Sequence, residues 1–216
     1  MRGAQTSLLV SGTAALGGMA IGSTLGLMAA GSRPVVRDVI SRITDVGIAL
    51  PGLLVALILG TVFGVGRDTV IIALLVGFVP WAARVTIGPA RQVLSREYVE
   101  AAFAYGRSTW FVLIRHVAPN IGSLIIVQTA VMFAVGILAE AGLSYLGLGS
   151  QSPTGSWGRF LNEAQPLIDR APALILFPGF AITLAVMGFM LMGNGVQALM
   201  DPHRKGIELD ANASRP

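Results

Sequence analysis

Glu97-Tyr98-Val99-Glu100-Ala101-Ala102-Phe103-Ala104-Tyr105-Gly106, followed thirteen residues after the glycine by Pro119 in His116-Val117-Ala118-Pro119-Asn120, decides how this chain is read. It lies in a polar, basic segment, residues 84–120, within a chain that is otherwise almost wholly apolar. The runs on either side are long enough to cross a bilayer, so the segment is a loop joining spans. The expected fold class is all-α: a polytopic transmembrane helical bundle folded around one sizeable loop.

Composition carries the same message. Of the 216 residues, 54% are hydrophobic and only 12% charged, with a mean hydropathy of +0.73, outside the normal range of soluble domains. A hydrocarbon core of roughly 30 Å needs about 20 apolar residues per helix. Five stretches meet that length: 8–31, 46–65, 69–88, 121–144 and 172–199. They consume most of the chain, so residues 1–216 are read as a single transmembrane domain. The 27 glycines suit helices in lipid, where close backbone approach replaces the hydrophobic driving force. With no cysteine, disulfides and thiolate metal sites are excluded.

The basic residues are distributed by loop, which is a membrane pattern and no nucleic-acid patch. With the N-terminus outside, the inner segments hold Arg33, Arg37, Arg42, Arg84, Arg91, Arg96, Arg107, Arg115, Arg204, Lys205 and Arg215, and the outer ones Arg2, Arg67, Arg159 and Arg170. Eleven against four orients the chain N-terminus out and C-terminus in, which makes 84–120 cytoplasmic. The opening segment could be a signal peptide with Arg2 as its n-region. Its apolar run exceeds the usual 7–15 residues, however, and Gly18, Gly22 and Gly26 line one helix face. It is read as a span.

Between spans, Ser32-Arg33-Pro34 breaks the chain, residues 35–45 form an amphipathic segment, and Pro51-Gly52 kinks the second span. Residues 90–105 are expected to be helical, with Ser95 capping a second short helix. Val99, Ala102, Phe103 and Gly106 share a face at i, i+3, i+4 and i+7, and are expected to present a small, partly aromatic surface to the cytoplasm. The segment Gly147–Gly158 reads as an outer loop, with a helical turn over 162–168. The last span starts near Pro172 and bends at Pro178-Gly179, and a polar tail begins at Asp201-Pro202.

Catalysis finds little support. Lys205 is the only lysine and is followed by glycine, so there is no phosphate-binding loop and no ATPase site of that type. His116 and His203 have no metal-ligand spacing, and no Gly-x-Ser-x-Gly elbow exists. Glu140 is the one acid deep in an apolar run. Such residues face a bundle interior or a water-filled cavity, so it is a candidate for the translocation pathway near the outer gate, with a helix-bracing carboxyl as the equal alternative. A solvated helix face would explain Glu97 and Glu100 but not Ala101, Ala102, Gly106 and Pro119 at their separations. A helix docked in a partner's groove explains all of them. Small residues allow approach, Phe103 is a knob, and Gly106 a sharp exit.

The pattern Glu100-Ala101-Ala102-x3-Gly106-x9-His116-Val117-Ala118-Pro119 resembles the Glu-Ala-Ala loop of ABC-importer permeases. With Tyr98-Val99, Asn120, Glu140-Ala141-Gly142-Leu143-Ser144-Tyr145-Leu146-Gly147-Leu148-Gly149 and Ser156-Trp157-Gly158, it is similar to the dipeptide/oligopeptide/nickel branch, dipeptide-permease C type. The likeness runs from about Ser7 to Arg204.

The resemblance implies a type I importer permease in a bacterial inner membrane. Its Glu100, Ala101, Ala102, Phe103, Gly106 and Pro119 would couple it to an ATPase. Its partners would be a second homologous permease, two cytoplasmic ATP-binding subunits and an extracytoplasmic solute-binding protein. No cofactor is implied, and the solute (dipeptide, oligopeptide, nickel or a related molecule) crosses unmodified. Two departures stand out: the chain enters the family pattern at its second span, and Asn194, Gln197 and Ala198 replace charged residues. An ATP-independent channel or an inactive permease remnant is the alternative reading. A channel would need polar faces on several spans, and only Glu140, Gln128 and a few Ser and Thr supply them.

Overall fold

The computed structural model describes residues 2–151 and 155–200. The tail from Asp201, with His203, Lys205 and the Asp201-Pro202 motif, and the Ser152–Thr154 part of the outer loop lie outside the described residues. Ten α-helices follow one another with no strand among the described residues: α1 (Arg2–Ala30), α2 (Pro34–Ala49), α3 (Gly52–Phe63), α4 (Arg67–Leu94), α5 (Glu97–Ala104), α6 (Thr109–Val112), α7 (Ala118–Asn120), α8 (Gly122–Tyr145), α9 (Trp157–Ala164) and α10 (Ala173–Met200). A π-helical segment, Leu113–Val117, joins α6 to α7.

Among the described residues, four helices are individually long and apolar enough to cross a membrane: α1, α4, α8 and α10. At 1.5 Å per residue even α8, with 24 residues, extends about 36 Å, more than the hydrocarbon thickness of about 30 Å. Hydroxyls within these helices return their protons to the preceding turn, as lipid offers no other acceptor: Thr13 to the Leu9 carbonyl, Thr86 to Ala82 and Thr129 to Ile125, each at 2.7 Å.

The second expected span, 46–65, is not one helix. Leu50 is extended (φ −74, ψ 122) and Pro51 likewise, so the chain leaves α2 and re-enters helix at Gly52 with a bend of 84°. The cause is local. Proline disfavours helical geometry at the residue before it and supplies no N–H to close the ladder. The 12 residues of α3 span only about 18 Å alone, and α2 and α3 are long and apolar enough to cross only as a bent pair, a broken span or a re-entrant loop. By contrast Pro80, Pro89 and Pro178 lie inside continuous helices.

α1 lies at the centre, packed along α4 and α8; α2 and α3 lean on α4, and α10 on α8. The α1–α4 contact is close because of the glycines on α1. A Cβ at Gly18 would lie 2.6 Å from the Phe78 Cβ, one at Gly22 2.5 Å from the Ala82 Cβ, and one at Gly26 2.7 Å from the Ala83 carbonyl. Buried side chains form layers along this axis, from Val10, Ala14, Val70, Leu74 and Leu143 through Ala15, Met19, Ala82 and Met132. At the loop end a further cluster joins Ala30, Ala90, Val93, Val99, Val112 and Val117. The outward faces of α3 and α10, among them Ile58, Val62, Phe177 and Phe180, stay exposed, as lipid- or partner-facing surfaces must.

Candidate functional site

The 84–120 loop folds into a small module. α4 continues past Gly88-Pro89 to Leu94, a turn at Ser95-Arg96 follows, and α5 begins at Glu97. Arg96, not Ser95, is the N-cap residue, and no side chain caps that end. The Ser95 hydroxyl donates instead to the Gln92 carbonyl at 3.1 Å, closing α4. Ser108 does act as a cap, its Oγ accepting from the Phe111 N–H at 3.3 Å to start α6.

The stripe expected to face the cytoplasm is split. Val99 is fully buried and Ala102 half-buried against the cluster that holds Val112, Leu113 and Val117, while Phe103 and Gly106 stay exposed. Burial of apolar surface turns Val99 and Ala102 towards the module's own core. What α5 leaves in the open is Glu97, Glu100, Ala101 and Ala104, with Phe103 at one edge, 39% exposed, and Tyr98 at the other. The exposed face is therefore acidic and small, and Glu100 and Ala101 belong to it while Ala102 does not.

Gly106 has φ +77, and a Cβ there would meet nothing of this chain within 4 Å. Its requirement is conformational. It ends α5 in a Schellman turn, with the Arg107 N–H donating to the Ala102 carbonyl at 3.1 Å and the Gly106 N–H to Phe103 at 2.8 Å. Pro119 stands just past the π segment, where the Ala118 N–H reaches the Leu113 carbonyl five residues back. A proline N cannot donate to residue i−4, and its ring crowds that carbonyl. The wide turn at 113–117 accommodates both.

A chain of rings closes the module. The Arg107 guanidinium lies 4.8 Å from the centroid of Phe111, Phe111 meets His116 edge-on at 5.9 Å, and His116 meets Tyr98 at 6.1 Å. The Asn120 amide donates to the Tyr98 hydroxyl at 3.2 Å and to the His116 carbonyl at 2.7 Å. Sequence reasoning quoted Tyr98, His116 and Asn120 as motif residues without giving them a role. Only the missing N–H of Pro119 hinted at the π turn that brings them together.

Glu140 is far from this module. It is 1% exposed inside the subunit, with Oε1 accepting from the Ser144 hydroxyl at 2.6 Å. Oε2 has no hydrogen-bond partner among the described residues, and the same holds for the buried Ser11 hydroxyl. Ser11 packs against Gly136, one turn before Glu140 on α8. Nearby, the Ser7 hydroxyl accepts from the Trp157 N–H at 3.1 Å, tying α1 to the start of α9. That helix begins at Trp157, earlier than the turn expected at 162, because Ser156 caps it. No group of three or more potential metal ligands occurs among the described residues.

Residues 22–206 match the model of a family described as binding-protein-dependent transport system inner membrane component. The chain belongs to this family of ABC-importer permeases. It is 36% identical over 205 residues to a glutathione transport system permease protein of Pectobacterium atrosepticum, covering 95% of this chain and 68% of that one. It is also 36% identical over 203 residues to a dipeptide transport system permease protein of Alkalihalophilus pseudofirmus, covering 94% and 67%. The chain thus spans about two thirds of the length of these relatives, and 55% of a glutathione permease of Shigella flexneri that is 39% identical over 167 residues. Among solved structures, a chain of the MetNI methionine ABC transporter, inward facing, superposes with a TM-score of 0.77 at 17% identity, over 93% of this chain and 95% of that one. The fold is that of a type I importer permease.

Proposed function

We propose that this chain is a permease subunit of an ATP-driven importer for peptides or a closely related small solute, glutathione among them. It would pair with a homologous permease to enclose the pathway, receive solute from an extracytoplasmic binding protein, and engage two cytoplasmic ATP-binding subunits. The sequence holds no Gly-x-x-x-x-Gly-Lys-Ser/Thr phosphate loop, so the proposed route for the energy is a contact with the ATP-binding subunits. The observation that carries the reading is α5: an exposed acidic and small-residue face on a short helix whose opposite face is locked into the bundle through Val99 and Ala102. A helix so held is displaced as a unit when the partner's groove moves, and passes that motion to α8 through residues 109–120. The relatives named for glutathione and dipeptide transport support the solute class.

Glu100→Ala removes a charged contact, and a hydrogen bond to a charged group is worth about 1.5–3 kcal/mol. Gly106→Val forces a branched residue into the left-handed region, at a cost of roughly 1–2 kcal/mol. The expected result is a membrane-inserted subunit that loses co-purifying ATP-binding subunits, or retains them without solute-stimulated ATP hydrolysis. Wild-type co-purification and transport in both variants would overturn the coupling assignment.

A further inference from the structure

We propose that Tyr98 and Asn120 are positioning residues that set the rotation of α5 about its own axis, and so the direction in which its acidic face points. The inference rests on the coupling role of α5 and says how that role is enforced. Burial of Val99 and Ala102 against Val112, Leu113 and Val117 holds α5 to the stem, but apolar contact is non-directional and tolerates rolling of a two-turn helix. A hydrogen bond is directional. Tyr98 lies at the edge between the buried stripe and the exposed face, and its hydroxyl accepts from Asn120 at 3.2 Å. The other Asn120 N–H is anchored at 2.7 Å on the His116 carbonyl, inside the π segment, so the amide is fixed to the stem that runs into α8. The His116 ring against the Tyr98 ring, at 6.1 Å, limits where that hydroxyl can sit.

The polar clasp therefore joins the first turn of α5 to the base of the spanning helix, on the side away from the Schellman turn at Gly106. Loss of the clasp leaves the helix folded and docked but free to roll. Motion imposed by a partner is then partly spent in rolling instead of moving α8. Tyr98→Phe removes only the hydroxyl and keeps the ring contact, and Asn120→Ala removes both bonds of the amide.

The test is a double-mutant cycle in the reconstituted complex with its ATP-binding subunits and binding protein, using glutathione and a dipeptide as solute probes. Basal ATP hydrolysis and the stoichiometry of ATP-binding subunits are expected to stay at the wild-type level. Solute-stimulated hydrolysis and transport are expected to fall about two- to tenfold in each single variant, the range of one neutral hydrogen bond. The double variant is expected to be no worse than the more impaired single one, because both remove the same tie. Unchanged stimulation in the single variants, losses that multiply in the double, or a parallel fall in subunit stoichiometry would each overturn the proposal. A wild-type chain that fails to hold ATP-binding subunits would instead count against the coupling reading itself, before any variant is compared.

Discussion

Gly106 and Glu140 show how differently single residues were legible. The glycine was recognisable from its place six residues after Glu100, and the sharp exit expected of it is the turn the structure shows. Its φ of +77 is the conformation that asks for glycine, and within this chain a Cβ there would meet nothing. Glu140 stood out because an acid in an apolar run is costly, yet the sequence left two roles equal. Its 1% exposure takes it off the subunit surface, while its bond to Ser144 lies within α8 and its Oε2 has no hydrogen-bond partner among the described residues; we propose an internal structural role for it. Glu140→Ala and Ser144→Ala are accordingly expected to lower the thermal stability and the membrane abundance of the complex together. Leaving one buried polar group unpaired costs about 1–3 kcal/mol. Transport per assembled complex should stay near wild type. A loss of transport at full abundance would restore Glu140 to the solute pathway.

At the scale of elements, spans were readable wherever length and hydropathy sufficed. The α1, α4, α8 and α10 segments are each longer than a bilayer needs and predominantly apolar. The break at Leu50-Pro51 was read as a kink because prolines inside spans are often tolerated, as Pro80 and Pro178 are here. What differs is support. Pro80 sits where α4 is flanked by α1 and α2, and Gly47 of α2 packs directly against its ring. Leu50, Pro51 and Gly52 are exposed, and a Cβ at Gly52 would meet nothing within 4 Å. The split stripe of α5 has a similar origin, since helical periodicity identifies a stripe but not which of its residues meet a partner and which the module's own core. The small-residue face of α1 was legible, and it permits a prediction. Gly22→Leu would drive a side chain into Ala82 and the Val79 carbonyl, and overpacking of this kind costs about 1–3 kcal/mol. The α1–α4 pair should loosen and the subunit's detergent melting temperature fall. Gly88→Ala on α4, where a Cβ meets nothing within 4 Å, should leave it unchanged. Equal melting of the two variants would mean that the close crossing does not hold the bundle together.

For the whole molecule, internal contacts fix which loops share an end, and the charge distribution supports a proposal for which end faces the cytoplasm. The turn after α1 and the loop module meet in one cluster, Ala30 with Val93, Val99 and Val112, so residues 31–33 and α5 lie together. At the other end the Gly66 N–H donates to the Leu148 carbonyl at 3.3 Å and the Trp157 N–H to Ser7, which brings the α3–α4 turn to residues 146–148 and the start of α9 to the start of α1. The first end carries Arg33, Arg37, Arg91, Arg96, Arg107 and Arg115, and the second only Arg67, Arg159 and Arg170 near its loops, besides the N-terminal Arg2. By the positive-inside rule we propose that α5 lies in the cytoplasm, where an ATP-binding partner would meet it, and that residues 64–66 and 146–151 lie outside, where a binding protein would deliver solute. Reporter fusions after residues 67 and 155 are expected to read outside, and a fusion after 105 inside. Opposite signals at 67 and 155 would contradict the shared end that these hydrogen bonds define. Both inside with 105 outside would keep the fold but invert the chain, leaving α5 on the side of the membrane that holds no ATP, and the importer reading could not survive that result.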